Sequence, residues 1–291
     1  MRMCACRGTA GVAHVSCLME QAKILVAEGE ENHSDDSQWH RWYRCSLCEQ
    51  KYHGDVNCAL GWACWKTYLG RPETDWTRSA AMTQLGNGLD DVRLYEDALS
   101  VKEAELAMHR RLGASEEEML VLLNNLACTY VQVGRCEESL SMYREVFSGR
   151  GQLDGEEDRE TLLAASNYTN ALAKLSGGPR RGGLALSRQL HRAREAKALL
   201  RKLIPVARRV LGQNDEITLR MRSTYARVIY EDSTTSLDDL REAVNTLKDT
   251  ARIAQRVFGG THPLTDEFEH YKMSAAVALF AREWGDEVTF S

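Results

Sequence analysis

A self-similar pattern recurs four times between Ala80 and Trp284. Gln84-Leu85-Gly86, Asn125-Leu126-Ala127, Asn167-Tyr168-Thr169 and Thr224-Tyr225-Ala226 align with one another, and their middle positions are 41, 42 and 57 residues apart. Repetition of this kind belongs to arrays of helical hairpins, because one hairpin leaves an apolar face that only a stacked neighbour covers. The second unit is the clearest: Leu123-Asn124-Asn125-Leu126-Ala127, then Tyr130, then Gly134, then Glu137-Glu138-Ser139-Leu140 opening a second helix. Its large residues fall at helical spacing, and its small ones, Ala127 and Ser139, stand where two helices must approach closely. Second helices of the same plan are expected at Tyr95-Glu96-Asp97-Ala98-Leu99, Arg194-Glu195-Ala196-Lys197-Ala198 and Leu240-Arg241-Glu242-Ala243-Val244. A terminal helix, Leu264 to Trp284, is placed to cap the last unit.

The long offset has a local cause. Ser176-Gly177-Gly178-Pro179-Arg180-Arg181-Gly182-Gly183 begins an insertion that reads as a mobile, basic loop over 176–191, within the third unit. Such a loop serves either as a docking or modification site or as a tolerated insertion. The expected organisation is an N-terminal module over 1–75 and helical repeats over 76–291. The composition shifts at Gly70-Arg71-Pro72-Glu73, where glycine and proline end any preceding helix.

Composition narrows the function. With 37 basic and 42 acidic residues interspersed, the formal charge is −5, so no field of one sign draws in phosphate backbones and nucleic acid is not expected as the partner. No apolar run approaches bilayer length, and Met1-Arg2-Met3-Cys4 has no apolar stretch ahead of a cleavage site. A cytoplasmic protein is expected, with no membrane partner. Seven of nine cysteines lie before residue 65, and in a reducing compartment such a cluster points to metal rather than disulfides.

The repeats resemble the longer tetratricopeptide units of the kinesin light chain type. The resemblance is carried by Leu123-Asn124-Asn125-Leu126-Ala127 and by the segments Leu211-Gly212-Gln213-Asn214-Asp215-Glu216 and Phe258-Gly259-Gly260-Thr261-His262-Pro263-Leu264-Thr265. It implies an all-α, right-handed α-solenoid of about four hairpins that holds a client peptide or protein in a concave groove lined by first helices. The matching positions are Thr83 and Gln84, Asn124 and Asn125, Ser166 and Asn167, Ser223 and Thr224. This polar column suits a peptide backbone; the same residues also suit capping or bridging of neighbouring helices.

In the N-terminal module the order is Cys4-x-Cys6, seven residues, His14-x2-Cys17, twenty-seven residues, Cys45-x2-Cys48. Zn2+ takes four thiolate or imidazole ligands in a tetrahedron, and short pairs separated by a loop supply them with little strain. The order resembles the last six ligands of a RING-CH finger, including Cys6-Arg7-Gly8 and Cys45-Ser46-Leu47-Cys48-Glu49-Gln50-Lys51-Tyr52. That family's cross-brace implies one site made of Cys4, Cys6, Cys45 and Cys48 and a second that keeps only His14 and Cys17. A C-x2-C pair upstream of residue 1, loss of the second site, or substitution by His53, Cys58 or Cys64 would each account for the shortfall. Cys58 and Cys64 lie six residues apart in a segment patterned as an aromatic-packing helix, which points them to different faces as buried thiols.

No Gly-rich phosphate loop, nucleophile elbow or metalloprotease helix is present. No catalytic residue is expected. The leading reading is a zinc-stabilised protein-interaction scaffold. The alternative is a RING-CH-type ubiquitin ligase whose finger orients a ubiquitin-conjugating enzyme while the repeats select substrate.

Overall fold

In a computed structural model the protein is described over residues 14–31, 38–177 and 184–289; for 184–185 and 285–289 only the backbone is described. Among these residues the chain is helical, and its one element of β pairing is an isolated antiparallel bridge between Arg44 and Lys51. The helices are α1 (Val15–Glu31), α2 (Gly54–Tyr68), α3 (Trp76–Asp91), α4 (Tyr95–Leu112), α5 (Glu116–Gln132), α6 (Cys136–Leu153), α7 (Arg159–Ser176), α8 (Leu184–Val210), α9 (Glu216–Glu231), α10 (Leu237–Val257) and α11 (Pro263–Thr289). A short 3-10 helix, Gln38–Trp42, precedes α2. The chain divides into two compact units, Met1–Ser139 and Leu140–Ser291.

Helix starts are written locally. Asp75 accepts a hydrogen bond from the Thr77 amide and opens α3; Ser115 and Glu118 form a reciprocal capping box at α5. In the second unit one turn recurs before α7, α9 and α11. Gly155, Gly212 and Gly259 take φ of 88°, 93° and 94°, and three residues later Asp158, Asp215 and His262 accept from the amides of Glu160, Ile217 and Leu264. Only glycine adopts that conformation without strain, so the motif is readable from sequence.

In the first unit, α1, the 3-10 helix, α2 and α3 share one apolar cluster. Ala22 and Val26 of α1, Trp42, Leu60 and Cys64 of α2, and Ala81 of α3 are its buried members. Trp39 packs on Tyr68 and Trp76, with ring centroids 5.2 and 5.1 Å apart. The composition shift at 70–73 therefore falls in the turn between α2 and α3 while the core runs through it. Gln84 ties the same elements by donating to Asn57 Oδ1 (2.8 Å) and Trp42 O (3.3 Å), and Asn57 donates to Asp91 (2.8 Å). At the next pair, Ser139 Oγ donates to Ala127 O at 2.8 Å, with both residues fully buried, the close approach expected of those small residues.

Between α3 and α4 lies a buried acid. Glu105 is 1% exposed and accepts hydrogen bonds from Ser79 (3.1 Å) and Thr83 (2.5 Å); Ser79 in turn meets His109 Nε2 at 2.6 Å. Burial pushes the Glu105 carboxyl up to about 7, against the pull of the two hydroxyls and the Lys102 ammonium. A raised carboxyl pKa means the folded state holds a proton that the unfolded chain releases. The stabilisation is full below the ordinary carboxylate range and is lost as pH rises through about 7. Glu105→Gln should therefore flatten this part of the stability profile, on the order of 3 kcal/mol between pH 5 and 8. Urea unfolding of both proteins at the two pH values checks it.

In the second unit, Leu162 and Ala165 of α7, Leu200, Leu203 and Ala207 of α8, and Ile217 and Met221 of α9 form one layer of the core. Leu219 of α9, Ala251 and Ala254 of α10, and Leu264 and Phe268 of α11 form the next. The expected loop over 176–191 is corrected here. Residues 184–191 are the first two turns of the 27-residue α8, and only 178–183 lie outside the described residues. Leu186, Leu190 and Ala193 stand at i, i+4 and i+7, a helical stripe that the neighbouring glycines obscured.

Candidate functional site

The sequence-derived groove positions divide by burial. In the first unit, Thr83 and Gln84 are committed internally, the former to Glu105 and the latter to Trp42 and Asn57. Asn124 and Asn125 of α5 are half-buried, and the Asn125 carbonyl accepts from Lys102 Nζ at 3.1 Å. In the second unit, Ser166 (2% exposed), Ser223 (2%) and Thr224 (6%) are buried, while Asn167 is half-buried.

Those last four side chains line one recess. α7 supplies Ser166, Asn167 and Asn170; α9 supplies Arg220, Ser223 and Thr224; α11 supplies Glu267, Phe268 and Tyr271. Each contributor is the first helix of its repeat, and residues three or four apart on one helix share a face, which explains why Asn167 and Asn170, or Arg220 and Thr224, arrive together. The cavity proper is small, about 10 Å³, enough for a single water, so a ligand would lie across it rather than enter it. It holds one cationic and one anionic side chain, each hydrogen-bonded: Arg220 donates to Glu216 (3.0 Å), and the Tyr271 hydroxyl donates to Glu267 (2.9 Å). Ser223 Oγ is buried without a hydrogen-bond partner among the described residues.

The wall of the recess is held by a residue that sequence reasoning did not single out. Arg227, 4% exposed, donates to Tyr271 Oη at 2.9 Å and to the Asn170 carbonyl at 3.2 Å, with its guanidinium 5.3 Å from the Tyr271 ring centroid. One side chain thus links α7, α9 and α11. The helical spacing Arg220, Ser223, Thr224, Arg227 was its only sequence signal. A larger open cavity, about 420 Å³, lies at the C-terminal ends of α7 and α9, where Leu186, Leu190 and Ala193 of α8 face Val228, Glu231 and Asp232. It was hidden in sequence by the reading of 184–191 as loop.

Of the expected metal ligands, Cys4 and Cys6 lie outside the described residues. His14 and Cys17 are exposed at the start of α1, where the His14 carbonyl accepts from the Cys17 amide (3.0 Å). Cys45 and Cys48 sit in a tight turn closed by Cys45 N–H to Gln50 O and Glu49 N–H to Cys45 O, both 2.9 Å. Glu49 takes φ of 56°, and the Leu47 amide points at Cys45 Sγ from 3.5 Å. A turn of this kind, with an amide directed at the first sulphur, is compatible with a C-x2-C pair that supplies two of the four ligands of a metal site. Cys64 does not fit one: it is fully buried among apolar side chains and burial pushes its thiol pKa up. Among the described residues no three His, Cys, Asp or Glu side chains gather around a common point.

A tetratricopeptide repeat family model matches residues 119–158, which span most of α5, all of α6 and the turn after it. No curated protein sequence matches the chain. Among solved structures, the repeats of a protein designated a kinesin light chain in Podospora anserina superpose with a TM-score of 0.50 at 14% identity, covering 84% of this chain and 98% of that one. BtubC (BKLC) from P. vanneervenii gives a TM-score of 0.47 at 11% identity, over 96% and 94% of the two chains. The described residues are thus an all-α arrangement of helical hairpins similar in fold to the tetratricopeptide-like repeats of that Podospora anserina protein, and one hairpin, 119–158, matches the tetratricopeptide repeat model.

Proposed function

We propose that the chain is a protein-interaction scaffold whose first helices hold an extended segment of a client protein. The observation that carries this is the recess in which Ser166, Asn167, Ser223 and Thr224 converge with Arg220, Glu267 and Tyr271. Hydroxyls and amides around a shallow, charge-balanced depression suit the alternating donors and acceptors of a peptide backbone. A deep enclosed pocket would suit a small molecule instead. The orphaned Ser223 hydroxyl adds a donor and acceptor that a bound carbonyl or amide would satisfy. Asn124 and Asn125 are the corresponding positions of the α5 repeat.

The test is selection of peptides from a random display library against the intact chain, followed by titration with two variants. Asn167→Leu and Arg220→Ala should each weaken the selected peptides by roughly tenfold or more, the scale of one lost buried polar contact. Equal affinity in both variants, with circular dichroism unchanged, removes the recess as the site.

Zn2+ bound by Cys45 and Cys48 together with Cys4 and Cys6 belongs to the same proposal, supported by the turn geometry of the first pair. Elemental analysis of the purified chain should find about one zinc per molecule, lost on Cys45→Ser with Cys48→Ser. A zinc-free native protein of unchanged fold overturns it. The ligase alternative rests on the finger resemblance alone. Ubiquitin conjugates formed by the zinc-loaded chain with a panel of conjugating enzymes would favour it over the scaffold. No helix among the described residues is long and apolar enough to cross a membrane.

A further inference from the structure

The last helix, α11, is apolar on two opposite faces. Phe268 and Ala275 are buried against the clusters of α9 and α10, with Tyr271 and Leu279 packed beside them. On the other side Met273, Val277, Phe280 and Trp284 are 63%, 65%, 63% and 60% exposed. These four make one stripe, with Phe280 and Trp284 rings 5.6 Å apart. A solvated helix face is ordinarily polar, and this one is not.

The spacing is informative. Steps of 4, 3 and 4 residues from Met273 to Trp284 make three turns in 11 residues, so the four side chains stay on one face of α11. A straight apolar seam about three turns long matches another helix laid along it. Ala276 and Ala281, both exposed, flank the seam with small side chains that permit close approach.

We propose that α11 joins two copies of this chain through an antiparallel, two-fold pairing of this seam. Three observations select a second copy over a different partner. Antiparallel pairing about the middle of the stripe sets Val277 against Phe280 and Met273 against Trp284 of the other copy, small opposite large at each step. The charged rim is already neutralised within the chain, by Lys272 with Glu269 and by Arg241 with Glu283 at 2.9 Å, so two identical rims meet without repulsion. A partner of opposite charge would call for a rim of one sign. The four side chains expose on the order of 500 Å² per copy, so pairing would bury on the order of 1,000 Å², the threshold for a specific interface. The seam leaves free the side of α11 that carries Glu267 and Tyr271, so a dimer would offer two recesses to a multivalent client.

Sedimentation of the intact chain over a wide concentration range tests this. The expected particle has twice the 32.8 kDa chain mass. Val277→Asp combined with Phe280→Glu should raise the dimer dissociation constant by roughly 100-fold or more, with helicity and melting temperature measured on the monomer unchanged, since both residues are exposed. Val121→Asp, an equally apolar exposed site on α5, should leave the dimer intact. A native chain that stays monomeric, including one that binds a foreign helix on this face, overturns the proposal, as does a dimer that survives the double substitution.

Discussion

Lys102→Ala is expected to destabilise the protein by about 3–5 kcal/mol, the scale for breaking a buried ion pair and leaving its partner behind. Lys102 is 3% exposed, and its ammonium reaches Asp90 Oδ2 at 2.5 Å, Asn125 O at 3.1 Å and Thr129 Oγ1 at 3.1 Å. All three of its donor hydrogens are thereby used, and the Thr129 hydroxyl passes the connection back to Asp90 at 2.9 Å. The stem has its own seat, since a Cβ on Gly86 would lie 2.9 Å from Lys102 Cγ and Cε. Alanine removes the charge and empties that seat. Lys102→Met keeps the stem and should cost less, so the difference between the two variants isolates packing from charge. Adding Asp90→Asn to the Lys102→Met background should recover part of the loss, because the carboxylate no longer needs a counter-ion. Chemical denaturation of these variants, of the native protein and of Asp90→Asn alone measures it; additive effects of the Lys102→Met and Asp90→Asn substitutions would show that the pair is not coupled.

Gly88→Ala is expected to lower stability by about 1–3 kcal/mol, the reverse of what helix propensity alone gives. In a helix interior, alanine gains about 1 kcal/mol over glycine. At Gly88 the added Cβ would stand 2.8 Å from Cys58 Cα and 2.9 Å from Asn57 O, backbone atoms that cannot rotate aside. Gly61 on α2 makes the reciprocal approach, 2.9 Å from Gln84 O and 3.0 Å from Leu85 Cα. Overpacking of this kind exceeds the propensity gain. It would also push Asn57 off its bonds to Asp91 and Gln84. Gly151→Ala supplies the control: it lies in α6, and a Cβ added there would meet no described atom within 4 Å, so propensity should win. Thermal melts of the two variants should move in opposite directions, by a few degrees each; a rise for Gly88→Ala would show that α2 and α3 are not in this contact.

The polar column shows where sequence reasoning reached its limit. Asn167 and Ser166 are adjacent in the chain and equally polar, yet one is half-buried and the other is 2% exposed. A turn of about 100° separates them, and which of the two faces outward depends on where α9 and α11 pack. Charged side chains on a helix are ordinarily solvated, yet Lys102 and Glu105 are both buried. The α8 stripe Leu186, Leu190, Ala193 was visible but outweighed by the glycines before it.

The sequence alone determined the hairpin period, the helix starts at Asp75, Ser115, Asp158 and Asp215, the glycine turns and the Ala127–Ser139 contact. These are set by interactions within a few residues or by spacing along one helix, and such signals survive in a linear string. The tertiary structure alone decided that α2 packs on α3 through two glycines, that Arg227 holds the recess together, and that one face of α11 stays uncovered. Each of these depends on which distant helix occupies the adjoining space, and burial is a property of neighbours rather than of the residue itself.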